Sequence, residues 1–420
     1  MARTVARVIV DALSELGVRQ VFGVVGDALN PLTDAIRTTE GLEWVGCRHE
    51  EAAAFAASAQ SQLSGTLGVC MGTVGPGSVH LLNGLYDAAK SHTPVLAIAG
   101  QVPLAELGTD YFQEVDNDSL FSDVGVFRAT ITSPGQLPQI LETAVRHALG
   151  RKGVAVLTVP GDLGERELNA DRPARFSLNA PLSRPEESAV RKAAALLDRS
   201  ERVTLLVGRG ARGAREDVLT LADRLADDDA VFTSDTGMAT VWLSRFVEMR
   251  GERRLIGSYN LGSMANAMPQ ALGAQCLDRE RQVVAFCGDG GLSMLLGDLM
   301  TLKTHRLPVK LVVFDNRRLG MVKLEQEQAG LPEFGTVLDN PDFAAVATAM
   351  GLPGIRVTDP TELETAVRRA FDTPGPVLLD VLTNPDEIAV PAKPTVEQGW
   401  GFAVAKVKEI VRSHGDDSTL

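Results

Sequence analysis

The chain has 420 residues, of which 45% are hydrophobic, and a formal net charge of −13 at pH 7. This length predicts two or three domains, and the acidic surplus argues against nucleic-acid binding, which needs positive charge to neutralise phosphates. The four cysteines show no CxxC spacing, and no apolar run approaches the length of a membrane span. We therefore expect a protein of the reducing cytoplasm without stable membrane association.

Helix and strand signals alternate over residues 1–180, which we predict to be the first domain. In chain order they predict a helix at 6–16, strands at 20–25 and 42–47, a helix at 50–63, a strand at 67–71, a helix at 78–89, and strands at 94–99 and 154–159. Such alternation is typical of an α/β fold built on a doubly wound parallel sheet.

The middle of the chain, residues 181–226, is short. A polar, proline-containing linker at 166–185 leads to only a helix (186–198), a strand (203–207) and a helix (215–226). Gly208, Gly210 and Gly213 follow that strand with the GxGxxG spacing of a dinucleotide-binding turn, but no second βαβ half follows them.

Residues 227–400 are predicted to form a second doubly wound domain, and 401–420 a helix and tail. The predicted architecture is thus two parallel-sheet domains joined by a truncated βα fragment.

The most informative stretch runs from residue 283 to 319. Apolar runs at 283–286 and 309–314 predict two parallel strands, the first followed by Gly288-Asp289-Gly290-Gly291 and the second by Asp315-Asn316. Their ends meet at the carboxyl edge of the sheet, where α/β proteins bind ligands. Asp289 and Asn316 then offer two hard oxygens to one Mg²⁺, and the glycines let a diphosphate approach backbone N–H groups. The alternative is a tight turn with Asp289 as a helix N-cap.

Other motifs stay ambiguous on local sequence. Glu50 is either a buried acid/base group or, as its local sequence favours, a first-turn acid facing the positive end of a helix. The loop at 72–77, GTVGPG, suits a planar ligand and equally a strand-to-helix turn. Asp27 could contact a substrate from a strand end, but an aspartate in such a position is more often a helix N-cap. His80 and His92 have no second ligand at metal spacing, so we expect ordinary hydrogen-bonded histidines.

Together these motifs resemble the thiamine-diphosphate-dependent 2-oxo acid enzymes, and among them the pyruvate oxidases and quinone-linked pyruvate dehydrogenases. The supporting stretches are VFGVVGDALN, RHEEAAAFAA, HLLNGL, TPVLAIAG, DYFQE, GSYNLGSMANAMPQALGAQ, CGDGG and LPVKLVVFDN. The resemblance implies thiamine diphosphate and Mg²⁺ as cofactors and decarboxylation of pyruvate or a similar short 2-oxo acid. It also implies a homodimer or homotetramer with active sites between subunits.

The resemblance also implies roles for individual residues. Glu50 would hydrogen-bond the aminopyrimidine ring of the cofactor and activate it, which reverses its local interpretation. Asp289 and Asn316, with the backbone carbonyl of Arg318, would hold the metal. The residues implied to contact the cofactor are Val74, Gly262, Ser263, Met264 (as an apolar wedge), Gly290, Gly291, Leu319, Gly320, Met321 and Val322. The residues implied to face the substrate are Phe112, Gln113 and Glu325.

The chain departs from this family in its middle. Three-domain relatives carry a complete nucleotide-binding domain there, which holds FAD in the oxidases, whereas only its opening segments remain here. We therefore expect no bound FAD, and a decarboxylated product released as acetaldehyde or joined to a second carbonyl compound. Two alternatives stay open, namely an FAD-dependent pyruvate oxidoreductase that forms acetate and a non-catalytic remnant that only binds cofactor.

Overall fold

A computed structural model describes residues 3–168, 186–198, 229–247, 249, 251–385 and 404–405. The predicted strand at 203–207, its GxGxxG turn, the helix at 215–226 and all but two residues of the predicted tail helix lie outside these ranges. No helix in the described ranges is long and apolar enough to cross a membrane.

The N-terminal half contains a six-stranded parallel sheet and a short two-stranded one. In chain order its elements are β1 (Arg3–Thr4), α1 (Val5–Glu15), β2 (Gln20–Gly23), α2 (Asn30–Arg37), β3 (Glu43–Gly46), α3 (Glu50–Ser64), β4 (Gly68–Gly72), α4 (Pro76–His80), α5 (Leu82–Lys90), β5 (Val95–Gln101), α6 (Asn117–Leu120), β6 (Gly125–Thr130), α7 (Leu137–Arg151), β7 (Val154–Pro160) and β8 (Glu167–Leu168).

The six-stranded sheet has the order β3-β2-β4-β5-β7-β6 with every neighbouring pair parallel. Helices α1, α2 and α7 share a buried cluster with one face, and α3 and α5 with the other. Because both faces are covered, the central strands read as continuous apolar runs. The predicted doubly wound α/β fold is confirmed for this half.

Two details differ from the sequence prediction. The helix expected at 78–89 is two helices, α4 and α5, and α4 begins earlier because Pro76 occupies its first turn. The predicted linker begins with a strand, β8, which pairs antiparallel with β1. Each of these strands has only two residues, too few for an alternating apolar pattern to reveal them.

Helix α3 lies in the interior. The His49 imidazole caps its start by accepting from the Glu51 N–H at 3.2 Å, and Gly65 ends it in a left-handed conformation, φ 76°. Between these caps the alanines at 52–54, 56–57 and 59 are buried on every side of the helix. Small side chains all round a helix allow close packing on both the sheet and a neighbouring helix. Glu50 therefore lies at the start of a firmly placed helix.

The C-terminal half repeats this architecture. In chain order its elements, preceded by α8 (Glu187–Asp198), are β9 (Val231–Ser234), α9 (Met238–Phe246), β10 (Arg254–Gly257), α10 (Ala267–Leu277), β11 (Val283–Gly288), α11 (Asp289–Met294), α12 (Leu299–Thr304), β12 (Lys310–Asp315), α13 (Gly320–Gln328), α14 (Phe343–Ala349), β13 (Gly354–Val357), α15 (Leu363–Asp372) and β14 (Val377–Leu382). The sheet order is β10-β9-β11-β12-β14-β13, again all parallel. The predicted second doubly wound domain is confirmed.

The two halves share one hydrophobic core. Helix α3 of the first half packs on α10 of the second, and their buried residues belong to one continuous cluster. A Cβ at Gly273 would lie 2.1 Å from the Ala56 carbonyl oxygen, so only glycine permits this approach. The predicted boundaries at residues 180, 226 and 400 fall in or beside undescribed segments and stay a prediction.

Candidate active site

The candidate site lies where β11 and β12 end. Gly288 on β11 pairs with Phe314 on β12, so Asp289 and Asn316 leave the sheet next to each other at its carboxyl edge, as predicted. Both line a cavity of about 250 Å³. The cavity is lined by Asp235, Thr236, Gly237, Met238, Ala239, Gly262, Met264, Gly288, Asp289, Gly290, Gly291, Phe314, Asn316, Arg318, Leu319, Gly320, Met321, Val322 and Glu325. It therefore brings together all of the C-terminal residues predicted to bind cofactor, metal or substrate except Ser263.

The Asp289 carboxylate is held in a fixed orientation. Its Oδ1 accepts the Gly290 N–H at 2.9 Å, and its Oδ2 accepts the Arg317 N–H and the Asn340 amide, both at 2.7 Å. The same Asn340 amide nitrogen donates to Asp315 Oδ1 at 2.8 Å. Asn340 thus joins the two strand-end carboxylates, a role that the sequence did not reveal. The alternative prediction of an Asp289 N-cap is wrong in detail, because Gly288 occupies the cap position.

Negative charge is concentrated at this edge. Burial raises the pKa of the Asp289 carboxyl, and the neighbouring Asp315 carboxylate raises it further. The other Asp315 oxygen, Oδ2, is buried and accepts no hydrogen bond from the described residues. Two close carboxylates in a buried site favour a bound cation, since it offsets both the desolvation and their repulsion. The Asn316 amide oxygen, which accepts the Arg318 N–H at 2.9 Å, adds a second hard ligand.

The glycines at the start of α11 permit close contacts that a side chain would disrupt. A Cβ at Gly290 would lie 3.3 Å from the Met264 thioether methyl, and one at Gly291 would lie 2.4 Å from Asp235 Oδ2. Backbone N–H groups at a helix start, carried by glycines without side chains, suit an anionic phosphate. A diphosphate bound through Mg²⁺ thus fits the oxygen donors and the open backbone.

Asp235, at the end of β9, is a second residue that the sequence did not reveal. Its Oδ1 accepts the Ala267 N–H at 2.8 Å and its Oδ2 the Gly288 N–H at 3.2 Å. Burial raises the pKa of Asp235 to about 7. The carboxylate fastens the start of α10 to the end of β11, and so positions the backbone that precedes Asp289.

Glu50 lies in the N-terminal half and is only 7% exposed. Its Oε2 is 3.0 Å from His80 Nδ1, and the His80 ring stacks on His49 with centroids 4.4 Å apart. Ligand atoms of His49, Glu50 and His80 lie within 4.8 Å of one another. His80 is hydrogen-bonded, as predicted, but the sequence did not reveal that its partner is Glu50.

The glycine loop at 72–77 passes beside Glu50. A Cβ at Gly77 would lie 3.2 Å from Glu50 Oε1, and Val74 is buried. The Gln113 carbonyl oxygen lies 2.8 Å from the Cβ position of Gly75, so Gln113 also borders this loop, whereas Phe112 is exposed. Their roles toward cofactor and substrate stay predictions.

Asp27 and His92 have local roles. Asp27 begins a short 3-10 helix, and its Oδ1 accepts the adjacent Ala28 N–H at 2.9 Å. Gly26 holds the N-cap position itself, so the predicted capping role is wrong by one residue. His92 lies in a turn with φ 49°.

Comparison with known proteins agrees with this geometry. Residues 3–120 match the N-terminal TPP binding domain of thiamine pyrophosphate enzymes, and residues 235–381 match their C-terminal TPP binding domain. These ranges hold 118 and 147 residues, together 265 of the 420 in the chain. The chain belongs to the thiamine pyrophosphate enzyme family. The predicted cofactor, thiamine diphosphate, is the same molecule under its other name.

Similar proteins include members with longer chains. A putative thiamine pyrophosphate-containing protein, YdaP, of Bacillus subtilis is 28% identical over 554 aligned positions, which cover 97% of this chain and 96% of that protein. Because 554 exceeds 420 by 134, at least 134 of these positions face a gap in this thiamine pyrophosphate enzyme. Pyruvate oxidase of Lactiplantibacillus plantarum is 24% identical, covering 90% of this chain and 88% of that one. The predicted shortening of the middle of the chain is confirmed.

One relative has a mass close to that of this chain. An uncharacterized 42.6 kDa protein of Pseudomonas amyloderamosa is 47% identical over 228 residues, whereas the present chain has a mass of 44.7 kDa. The match covers 54% of this chain and 58% of that protein.

Proposed function

We propose that this thiamine pyrophosphate enzyme decarboxylates pyruvate or a similar short 2-oxo acid in a reaction that depends on Mg²⁺ and thiamine diphosphate. The observation that carries the proposal is the pair of hard oxygen donors, Asp289 and Asn316, beside the open glycine backbone of a single cavity. The similarity to a protein named pyruvate oxidase supports pyruvate as the substrate.

The chain's own residues supply binding and proton control. Asp289 and Asn316 would hold Mg²⁺ and through it the diphosphate, while Met264 contributes an apolar wall to the same cavity. When bound, thiamine diphosphate supplies the electron sink for decarboxylation. Glu50 would hold a proton against the aminopyrimidine ring, and His80 fixes one carboxylate oxygen at 3.0 Å so that its orientation is set.

The short middle of the chain supports a flavin-free reaction. At least 134 positions of the YdaP alignment face a gap here. A chain without a flavin domain has no built-in acceptor for the electrons of an oxidative reaction. We therefore propose acetaldehyde or a carboligation product rather than acetate. An FAD-dependent reaction forming acetate is the alternative, because Gly208, Gly210 and Gly213 keep a dinucleotide-type spacing.

An assay on the purified protein distinguishes the flavin-free reaction from the FAD-dependent one. The experiment measures CO₂ release from pyruvate with and without thiamine diphosphate, Mg²⁺ and an artificial electron acceptor, together with the visible absorbance spectrum of the protein. We expect turnover that needs both cofactors, does not need the acceptor and occurs in a colourless protein. A yellow protein whose turnover depends on the acceptor would establish the FAD alternative.

The same assay tests whether the chain is catalytic at all. If CO₂ release stays at background with pyruvate and with longer 2-oxo acids, while calorimetry still detects thiamine diphosphate binding, the protein is a non-catalytic binder. The burial of both Glu50 and Asp289 argues against that outcome, because buried titratable groups are costly and cluster at reactive sites.

A further inference from the structure

The backbone that presents one of the metal-site residues is strained. Arg317 lies between Asn316 and Arg318 and has φ 54°, in the left-handed region that a residue with a side chain rarely adopts. Such a conformation persists only where neighbouring groups hold it. Residues 316–319, which we call the metal loop, therefore need support from another part of the chain.

A later segment supplies this support. Residues 333–340, which we call the bracket, run antiparallel to the metal loop, and the two meet in an isolated β-bridge. The Leu319 N–H donates to the Thr336 carbonyl oxygen at 2.8 Å, and the Leu338 N–H donates to the Arg317 carbonyl oxygen at 2.9 Å. The bracket is thus hydrogen-bonded to the strained residue itself.

Glu333 fastens the bracket to the metal loop through charge. Its Oε1 lies 2.8 Å from Arg318 Nε, and its Oε2 lies 3.7 Å from Lys323 Nζ on α13. Arg318 Nε makes no hydrogen bond within the described residues, so its ion pair with Glu333 rests on charge attraction. The Thr336 hydroxyl donates a hydrogen bond to Glu333 Oε1. Glu333 therefore contacts the metal loop, the helix that follows it and the bracket itself.

These three charges are largely withdrawn from water. The side chains of Arg318, Lys323 and Glu333 are 23%, 3% and 19% exposed. Charges in such positions are weakly screened, and removal of one partner leaves the others uncompensated. Without Glu333, two uncompensated cations would remain, one of them on Arg318, which lines the cavity. Loss of the ion pair and repulsion by these cations would both act against a bound Mg²⁺.

We infer that Glu333 is a positioning residue for the metal site, although it does not line the cavity. By holding Arg318 and the bracket together, it keeps the strained loop in the conformation that presents Asn316 to Mg²⁺. The bracket also carries Asn340, so a loosened bracket would release an orienting donor of Asp289. The inference rests on the proposed function, because that function assigns the metal to Asp289 and Asn316.

The Mg²⁺ dependence of cofactor binding tests the inference. Calorimetry measures thiamine diphosphate binding to wild type and to Glu333→Gln over a range of Mg²⁺ concentrations. We expect Glu333→Gln to need about 10–100-fold more Mg²⁺ for half-maximal binding, the usual size of an outer-shell effect. Glu280→Gln, at an exposed position in the turn after α10, removes the same charge and should bind as wild type does. An unchanged Mg²⁺ requirement in Glu333→Gln would overturn the inference.

A double-mutant cycle tests the ion pair itself. Arg318→Gln and Glu333→Gln should each raise the Mg²⁺ requirement, and the double variant should raise it by less than the product of the two single effects. The double variant also leaves no Arg318 charge without its partner, which protects the comparison against misfolding. Fully multiplicative effects would show that Glu333 does not act through Arg318, and the inference would fail.

Hydrogen exchange distinguishes positioning from general stabilisation. In cofactor-free protein we expect Glu333→Gln to speed amide exchange at Leu319 and Leu338, while exchange in β5 of the N-terminal half stays as in wild type. Faster exchange in β5 as well would mean that Glu333 stabilises the whole fold, and this would contradict a positioning role. None of these measurements needs turnover. Wild-type protein that binds thiamine diphosphate with Mg²⁺ but releases no CO₂ would therefore count against the proposed function alone.

Discussion

The two halves of the molecule share one strand order but carry different chemistry. Counted in chain order from β2 and from β9, both six-stranded sheets read 2-1-3-4-6-5. After the second strand, the N-terminal half continues to Glu50 and the C-terminal half to the loop of Gly262. After the third strand, the loop at 72–77 contains glycines without an acid, whereas the corresponding loop contains Asp289.

The fourth strand completes the contrast. It ends in Gln101 and Val102 in the N-terminal half and in Asp315 and Asn316 in the C-terminal half. In the described residues, the third and fourth strands lead to the carboxylates Asp289 and Asp315 in the second sheet but to the neutral Thr73 and Gln101 in the first. The proposed hard cation and its diphosphate therefore suit the second sheet. The comparison teaches that one topology can carry two different edges. On the proposed function, a few loop residues decide that one edge binds the charged groups and the other handles protons.

The largest expected effect is on turnover, and it separates proton handling by the N-terminal edge from cofactor binding by the C-terminal edge. Glu50→Gln should lower kcat by roughly 10²–10⁴-fold, the usual contribution of a positioned acid/base group, while thiamine diphosphate affinity changes little. Steady-state CO₂ release and calorimetry measure the two quantities. Glu142→Gln, an exposed change on α7, is the control and should behave as wild type. Near-normal turnover of Glu50→Gln would remove Glu50 from the proposed chemistry.

The matching change in the C-terminal half should act on binding. Asp289→Ala removes a direct ligand, so it should weaken Mg²⁺-dependent cofactor binding by more than the ~10–100-fold typical of outer-shell changes. Titration of thiamine diphosphate with Mg²⁺ or with EDTA measures this dependence. The exposed change Asp34→Ala controls for loss of one negative charge. Retained Mg²⁺ dependence in Asp289→Ala would place the metal elsewhere.

The sequence predicted the C-terminal edge better than the N-terminal one. The pattern of a long apolar run followed by GDGG or DN predicts both the strand and the polar residues at its end. Few other structures place such residues after a buried strand. Glu50 needed the family resemblance, since an acid in a first helical turn is common for purely electrostatic reasons. Its contact with His80, 30 residues away, depends on tertiary packing that no local pattern contains.

Asn340 and Asp235 could not be predicted for the same reason. Asn340 lies in an irregular segment 51 residues beyond Asp289, and Asp235 follows a strand of only four residues. Each acts by joining backbone or carboxylate groups from separate elements. The role of such connecting residues can be recognised only from the folded structure, in which the strand ends lie side by side.

A smaller effect is expected from the residue that joins the two carboxylates. Asn340→Ala should weaken Mg²⁺ affinity by about 10–100-fold, because the ligand Asp289 loses one of its orienting donors and Asp315 loses the same partner. Mg²⁺ titration of cofactor binding measures the change. Asp339→Ala, an exposed neighbour, is the matched control. If Asn340→Ala leaves Mg²⁺ affinity unchanged, the metal is held without this network.

The smallest expected effect is on the stability of the protein without ligand, and it comes from adding a side chain at the start of α11. Alanine at Gly291 would place its Cβ 2.4 Å from Asp235 Oδ2, whereas alanine at Gly288 would meet nothing within 4 Å and keeps φ at −77°. We expect Gly291→Ala to lower the free energy of unfolding by roughly 1–3 kcal/mol through overpacking, and Gly288→Ala to change it by less than about 1 kcal/mol. Thermal and urea unfolding of both variants measure the difference. Equal stability of the two would mean that Asp235 moves freely, and it would then not fix the backbone that presents Asp289 to the metal.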